Sequence, residues 1–136
     1  MPPKELFEAG MTKDKVLIID DSISARMEIK RHMADEFDVI EASNGPDGIQ
    51  VFRDHADVVL IICDFNMPHM DGLTTMEHIY EEHPDTKVPC LMVTTESSTD
   101  LKNKGREIGV TGWVLKPIIP QVLIDACKDL VKEGRA

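Results

Sequence analysis

Positive charge is in short supply in this sequence: 15 Lys and Arg stand against 25 Asp and Glu, a formal net charge of −10 over 136 residues. Nucleic-acid binding needs a basic footprint that displaces counterions, so that function class is set aside. Long apolar runs are missing too. None approaches the roughly 20 residues that span a bilayer, and the start, Met1-Pro-Pro-Lys-Glu-Leu-Phe7, lacks the apolar centre of a secretion signal. Cysteine is sparse and odd in number. Cys63, Cys90 and Cys127 lie among apolar residues without C-x-x-C spacing, and read as reduced, buried small hydrophobes, neither bridges nor metal ligands. A cytoplasmic, monomeric, single-domain protein is expected, since the chain is long enough to bury a core without staples.

What the sequence does have is Val58-Val-Leu-Ile-Ile-Cys63, an apolar run too short for an ordinary helix and suited to a strand buried on both faces. It ends on Asp64, and Pro68 and Gly72 prevent its continuation. Val16–Ile19 is a similar, shorter strand ending on Asp20-Asp21-Ser22. Ser22 suits a helix N-cap, and Ala25, Ile29 and Met33 recur along one face of the helix after it. Val39-Ile40 mark a second strand, short and near the sheet edge, and Asn44-Gly45-Pro46 opens a helix with Gly48, Val51 and Phe52 inward.

After the Asp64 strand, Leu73, Met76 and Ile79-Tyr80 repeat at helical spacing until His83-Pro84. Pro89–Val93 is a fourth strand closing on Thr94-Thr95. Residues 99–108 are weakly helical, with sparse Leu101 and Ile108 and an internal Gly105. Gly112–Leu115 is a fifth strand ending at Lys116-Pro117, and Pro120 opens a last helix with the stripe Leu123, Ala126-Cys127, Leu130-Val131. Residues 1–14 form a polar N-terminal extension, disordered or holding one docked turn at Leu6, Phe7 and Ala9. Five strands alternating with five helices predict an α/β, doubly wound (βα)5 domain over residues 15–133, with a parallel sheet and helices on both faces.

Asp20, Asp21, Asp64, Thr94 and Lys116 each fall at the carboxyl end of an expected strand. In a parallel sheet those ends share one edge, so the five side chains converge in one crevice. Three carboxylates together repel unless a cation intervenes, and the donor set suits Mg²⁺ more than Zn²⁺. A metal, an ammonium and a hydroxyl around one carboxylate can hold the oxygens of a phosphoryl group, and carboxylates serve as nucleophiles in aspartyl-phosphate chemistry.

From about Val16 to Lys132 the chain resembles the receiver domains of two-component response regulators, most of all the stand-alone chemotaxis members. The resemblance rests on Asp20-Asp21, on Asp64-Phe65-Asn66-Met67-Pro68 with Asp71-Gly72, on Thr94, and on Lys116-Pro117. It implies the flavodoxin-like strand order 2-1-3-4-5 and a phosphoryl group received on Asp64 from a histidine kinase. It implies Mg²⁺ on Asp21, Asp64 and the Asn66 carbonyl, with Asp20 acting through water. Lys116 would pair with the phosphoryl oxygens ahead of a cis Lys116–Pro117 bond. Thr94 would swing toward the phosphate and Trp113 would turn inward, altering the face of helix four, strand five and helix five.

Asn66 and Glu96 match a pair that tunes hydrolysis, and Thr95, in place of a small residue, would narrow access to Asp64. Trp113 is bulkier than the usual Tyr or Phe, so restricted inward rotation and weaker coupling to Thr94 are expected. The implied partners are the kinase, a flagellar motor switch or a histidine phosphotransfer protein, and a phosphatase. No attached output domain is expected.

Three other readings compete. A haloacid-dehalogenase-like phosphatase wants Asp-x-Asp where this chain has Asp64-Phe65-Asn66. A flavodoxin-like electron carrier wants Ser, Thr and Gly where this chain has Asp20-Asp21. A receiver-like module without phosphorylation is disfavoured by the intact acidic set. The histidines (32, 55, 69, 78 and 83) have no ligand spacing and are expected in solvent. Lys102, Lys104, Arg106 and Lys128 are expected on a charged, solvated face.

Overall fold

A computed structural model of the chain describes residues 13–134. The elements are β1 Asp14–Ile19, α1 Ile23–Met33, β2 Phe37–Ala42, α2 Gly45–Asp54 and β3 Val58–Cys63, then α3 Gly72–Glu82, β4 Cys90–Thr94, α4 Thr99–Ile108, β5 Gly112–Leu115 and α5 Pro120–Gly134. The five strands form one sheet in the order β2-β1-β3-β4-β5, every neighbouring pair parallel. The expected turn at Leu6, Phe7 and Ala9 lies outside the described residues. Asp14, expected in the N-terminal extension, opens β1 and pairs with Phe37.

Alternation along the strands divides the core in two. Leu17, Ile19, Ile61, Cys63 and Met92 point to the side covered by Phe52 of α2 and by Leu73, Met76 and Ile79 of α3. Val16, Ile18, Leu60, Ile62, Leu91 and Val93 point to the other, against Ile29 and Met33 of α1 and Leu123, Cys127 and Val131 of α5. Apolar side chains on both sides are why β1, β3 and β4 read as unbroken hydrophobic runs. Each fully buried Leu, Ile or Met contributes about 1.5–3 kcal/mol relative to exposure.

Local polar chemistry starts the helices. Ser22 Oγ accepts from Ala25 N at 3.2 Å, Asn44 Oδ1 from Asp47 N at 2.8 Å, and Asp71 Oδ1 from Thr74 N at 2.7 Å. The segment expected to be weakly helical is a regular helix. Ser98 caps its start, and Gly109 ends it in the left-handed region at φ 119°.

Two further expectations are corrected. β2 is an edge strand, but at six residues it is as long as β1 and pairs with it from Asp14↔Phe37 to Ile19↔Ala42. Its exposed Asp38 and Glu41 interrupt the apolar run and conceal its length in the sequence. β4 runs Cys90–Thr94, one residue later than expected: Pro89 has no N–H for a ladder, though its carbonyl accepts from Ile61 N at 3.0 Å. Thr94 is thus the last strand residue, fully buried.

Histidine placement also differs. His69 and His78 are exposed, whereas His32, His55 and His83 are half-buried. The His83 ring stands edge-on to Phe52 with centroids 5.0 Å apart. The three cysteines are buried and free, and burial pushes their thiols up, Cys127 to about 12. No helix among the described residues is long and apolar enough to cross a membrane.

Candidate functional site

The register of the sheet builds the site. Ile19 and Cys63 are cross-strand partners, and the Asp64 N–H donates to the Ile19 carbonyl at 2.9 Å, so the next residues, Asp20 and Asp64, leave the sheet side by side. On the far strands Thr94 pairs with Leu115, and Lys116 N donates to the Thr94 carbonyl at 2.9 Å. Lys116 therefore starts at the same edge. From there its ammonium donates to Asp20 Oδ2 at 2.9 Å and to Asp64 Oδ2 at 3.0 Å. The Lys116–Pro117 peptide bond is cis.

One oxygen from each of Asp20, Asp21 and Asp64 lies within 4.8 Å of the other two. Asp20 and Asp64 are buried and Asp21 is exposed, so the cluster is open on one side. Burial pushes the Asp20 carboxyl above its ordinary range, with repulsion from Asp64 adding to it. The Ser22 N–H and the Lys116 ammonium work against that rise without cancelling it. Burial alone would lower the Lys116 ammonium. Its bonds to Asp20 and Asp64 outweigh that and hold it above the ordinary lysine value.

Three carboxylates facing one bonded ammonium leave uncompensated negative charge among hard oxygen donors, which fits a divalent ion such as Mg²⁺. Buried, protonated thiols offer such an ion nothing.

The remaining expected residues line the same edge. Asn66 N donates to Asp64 Oδ1 at 3.2 Å, and its side-chain amide reaches Glu96 Oε1 at 3.5 Å. Thr94 Oγ1 accepts from Glu96 N at 3.4 Å. Trp113, on β5, is half-buried, and its indole N–H donates to the Glu96 carbonyl at 2.7 Å. Thr95 is exposed.

The sequence reading missed Arg26 and the packing roles of Gly72 and Gly105. Arg26 Nη1 donates to the Asp20 carbonyl at 2.5 Å while its Nε pairs with Glu41 at 3.2 Å, which ties the acidic loop to β2. Gly72 packs so closely under β3 that an added Cβ would collide with the Asp64 carbonyl oxygen. Gly105 faces the site from α4, where a Cβ would lie at contact distance, 3.4 Å, from both Trp113 Cζ3 and Leu73 Cδ2. A glycine inside a weak helical pattern was the signal for Gly105; Arg26 left none, because its partners come from elsewhere in the chain.

A model of the response regulator receiver domain matches residues 16–128. The chain belongs to that family. This receiver domain is 33% identical over 122 residues to a chemotaxis protein CheY homolog of Campylobacter jejuni, covering 88% of this chain and 94% of the relative. To chemotaxis protein CheY1 of Helicobacter pylori it is 32% identical over 111 residues, covering 80% and 90%. Among solved structures, chemotaxis protein CheY4 of Vibrio cholerae superposes with a TM-score of 0.82 at 32% identity, covering 88% of this chain and 99% of that one.

The expected sheet order and (βα)5 architecture are those of the CheY fold. Receiver domains are signalling switches that are phosphorylated, bind partner proteins and carry Mg²⁺ at an aspartate cluster, which displaces the phosphatase and electron-carrier readings.

Proposed function

We propose that this chain is a response regulator whose Asp64 accepts a phosphoryl group from a histidine kinase, and whose phosphorylated surface then acts on a partner in chemotaxis. The observation that carries the reading is the Lys116 ammonium spanning Asp20 and Asp64 at 2.9 and 3.0 Å inside the three-carboxylate cluster. In the transfer, an Asp64 carboxylate oxygen attacks phosphorus. The bond from phosphorus to the imidazole nitrogen breaks, and the nitrogen keeps the electron pair.

Lys116 orients and neutralises the incoming phosphoryl oxygens, and Thr94 offers its hydroxyl to one of them. Asp20, Asp21, Asp64 and the Asn66 carbonyl would hold Mg²⁺, which supplies charge neutralisation for the phosphoryl oxygens. The product adds close to two negative charges at the sheet edge, enough to bias the Thr94, Glu96 and Trp113 contacts between two arrangements. In the return step Asn66 and Glu96 tune hydrolysis.

A protein donor must bring its phosphohistidine over Asp64, and the rim suits one. Ile23 and Met27 of α1 are 66% and 63% exposed, and Ile119 and Val122 at the start of α5 are 64% and 52% exposed. The two helices pack on the same face of the sheet, beside the acidic mouth, where a helical partner can cover these side chains. The same rim serves a second reading, a relay that passes the group to a histidine phosphotransfer protein. The reading carries with it a cytoplasmic, monomeric protein with residues 15–133 as its receiver unit.

The test is beryllofluoride, a phosphoryl mimic, added with Mg²⁺ while the emission of Trp113 is followed. A saturable change that needs Mg²⁺ and is missing in Asp64→Asn supports the switch. Identical spectra with and without the mimic, in samples whose mass shows it bound, contradict it.

A further inference from the structure

We propose that Arg26 is a positioning residue for the divalent-ion site: it directs the Asp21 carboxylate through the Asp20–Asp21 peptide bond and so sets a preference for Mg²⁺ over larger ions. The inference rests on Asp20, Asp21 and Asp64 being the metal ligands. These three carboxylates are not held alike. Asp64 accepts from Lys116 Nζ at 3.0 Å and from the Asn66 N–H at 3.2 Å. Asp20 accepts from Lys116 Nζ and from the Ser22 N–H, both at 2.9 Å. Asp21 is exposed, and its carboxylate has no hydrogen bond or ion pair among the described residues.

What steers Asp21 is its backbone. The amide plane joining Asp20 to Asp21 is rigid, so fixing the Asp20 carbonyl oxygen also fixes the Asp21 N–H and narrows the directions open to its side chain. Arg26 Nη1 donates to that oxygen at 2.5 Å. The guanidinium is itself braced, since its Nε pairs with Glu41 at 3.2 Å and only 13% of the side chain is exposed. Its place follows from α1. Ser22 caps the helix, Arg26 N donates to the Ser22 carbonyl at 3.0 Å, and helical side chains lean toward the N-terminus, which carries the guanidinium back to the acidic loop. Edge strand β2 therefore holds Asp20 twice: directly, with Asp20 N donating to the Ala42 carbonyl at 3.2 Å, and from Glu41 by way of Arg26.

Rigidity of this kind bears on which ion fits. Mg²⁺ demands near-ideal octahedral geometry at short distances, whereas Ca²⁺ accepts a looser, more flexible set of oxygens. An Asp21 released to swing costs the smaller ion more. The charge of Arg26 works the other way, because a cation beside the carboxylates disfavours the arrival of a second. Removing the guanidinium thus weakens Mg²⁺ binding if Arg26 positions the loop, and strengthens it if Arg26 acts only by its charge.

The experiment measures Mg²⁺ and Ca²⁺ affinities of the full chain by titration calorimetry, with no phosphoryl donor present. Arg26→Met keeps most of the side chain's length and loses every donor. Arg26 borders a cavity of about 400 Å³ with Glu41, Asp47 and Gln50, so the methionine has room. Its Mg²⁺ affinity is expected to fall about tenfold, the lower end of what loss of a partner behind metal ligands costs, and its Ca²⁺ affinity to fall less. Arg26→Lys keeps the charge but has one nitrogen in place of the fork. Its Mg²⁺ affinity is expected to lie between those of wild type and Arg26→Met.

Unchanged or tighter Mg²⁺ binding in Arg26→Met overturns the proposal and leaves the metal reading intact. So does an equal loss for both ions, which a merely loosened fold would give. If urea melts show Arg26→Met to be largely unfolded, Arg26→Lys decides alone: an Mg²⁺ affinity equal to that of wild type overturns the proposal. A wild-type chain that binds neither ion removes the metal reading itself, and this inference with it.

Discussion

Lys116 and Asp64 are 52 residues apart in the chain, yet the ammonium of one lies 3.0 Å from the carboxylate of the other. The meeting follows from parallel topology: β3 and β5 point the same way, so the residue after each strand emerges at one edge. Lys116 bonds Asp20 from the same nitrogen, so its ammonium is held in place before any phosphoryl group arrives. A phosphoryl group adds acceptors for a cation already in position, which is the form of preorganisation that lowers barriers.

Lys116→Ala is expected to slow phosphorylation by acetyl phosphate by about 10²-fold, the scale on which one preorganised donor acts. The measurement is the rate at which adduct mass appears at saturating Mg²⁺. An unchanged rate would leave Lys116 a structural counterion only.

Asp20→Asn is expected to stabilise the metal-free protein by about 1 kcal/mol, because the amide removes a buried charge while its oxygen still accepts from Ser22, and only the bond from Lys116 is given up. Lys116 retains its bond to Asp64. The sign follows from the raised Asp20 carboxyl: its contribution to stability is full below the ordinary value of 3.8 and is lost as pH rises through the higher folded value. In urea melts with chelator, the advantage of the variant should grow as pH rises from about 4 toward neutrality, and its Mg²⁺ affinity should fall. A variant less stable than wild type at neutral pH would refute the assignment.

Gly72→Ala forces a methyl group against the Asp64 carbonyl oxygen. A backbone shift there is expected to lower stability by about 1–3 kcal/mol and to slow phosphorylation at the same time, since the displaced carbonyl belongs to the acceptor residue. Denaturant melts and acetyl phosphate kinetics on one preparation check both. A loss of stability with normal kinetics would separate the packing from the site.

Met27→Glu and Ile119→Glu replace apolar side chains that are 63% and 64% exposed. Stability should change by less than about 0.5 kcal/mol, and phosphorylation by acetyl phosphate should not change. Transfer from a phosphorylated histidine kinase should fall at least about tenfold, through lost docking. Equal transfer to both forms would remove the rim from the docking surface.

Most of the fold was legible because β1, β3 and β4 are buried on both sides and show as unbroken apolar runs. Asp20 and Asp64 were legible because each follows such a run, and Lys116 because it follows the short strand β5 ahead of Pro117. What the sequence concealed arises from contacts between distant segments. Edge strand β2 carries exposed Asp38 and Glu41, so its six residues look like two. His83 is half-buried because Phe52 of α2 lies against it, which no spacing within α3 announces. Arg26 reaches the backbone carbonyl of Asp20, six residues back in the loop after β1. The neighbour of Trp113 on α4 is Gly105, a residue that on sequence alone only weakened the helix.

The central claim is that Asp64 accepts the phosphoryl group. Intact mass after acetyl phosphate, with and without Mg²⁺, on wild type and Asp64→Asn, tests it most directly. The account predicts a single phosphoryl adduct on wild type, dependent on Mg²⁺ and absent from the variant. An adduct of equal yield on Asp64→Asn, or none on wild type where beryllofluoride with Mg²⁺ also fails to bind, would contradict it.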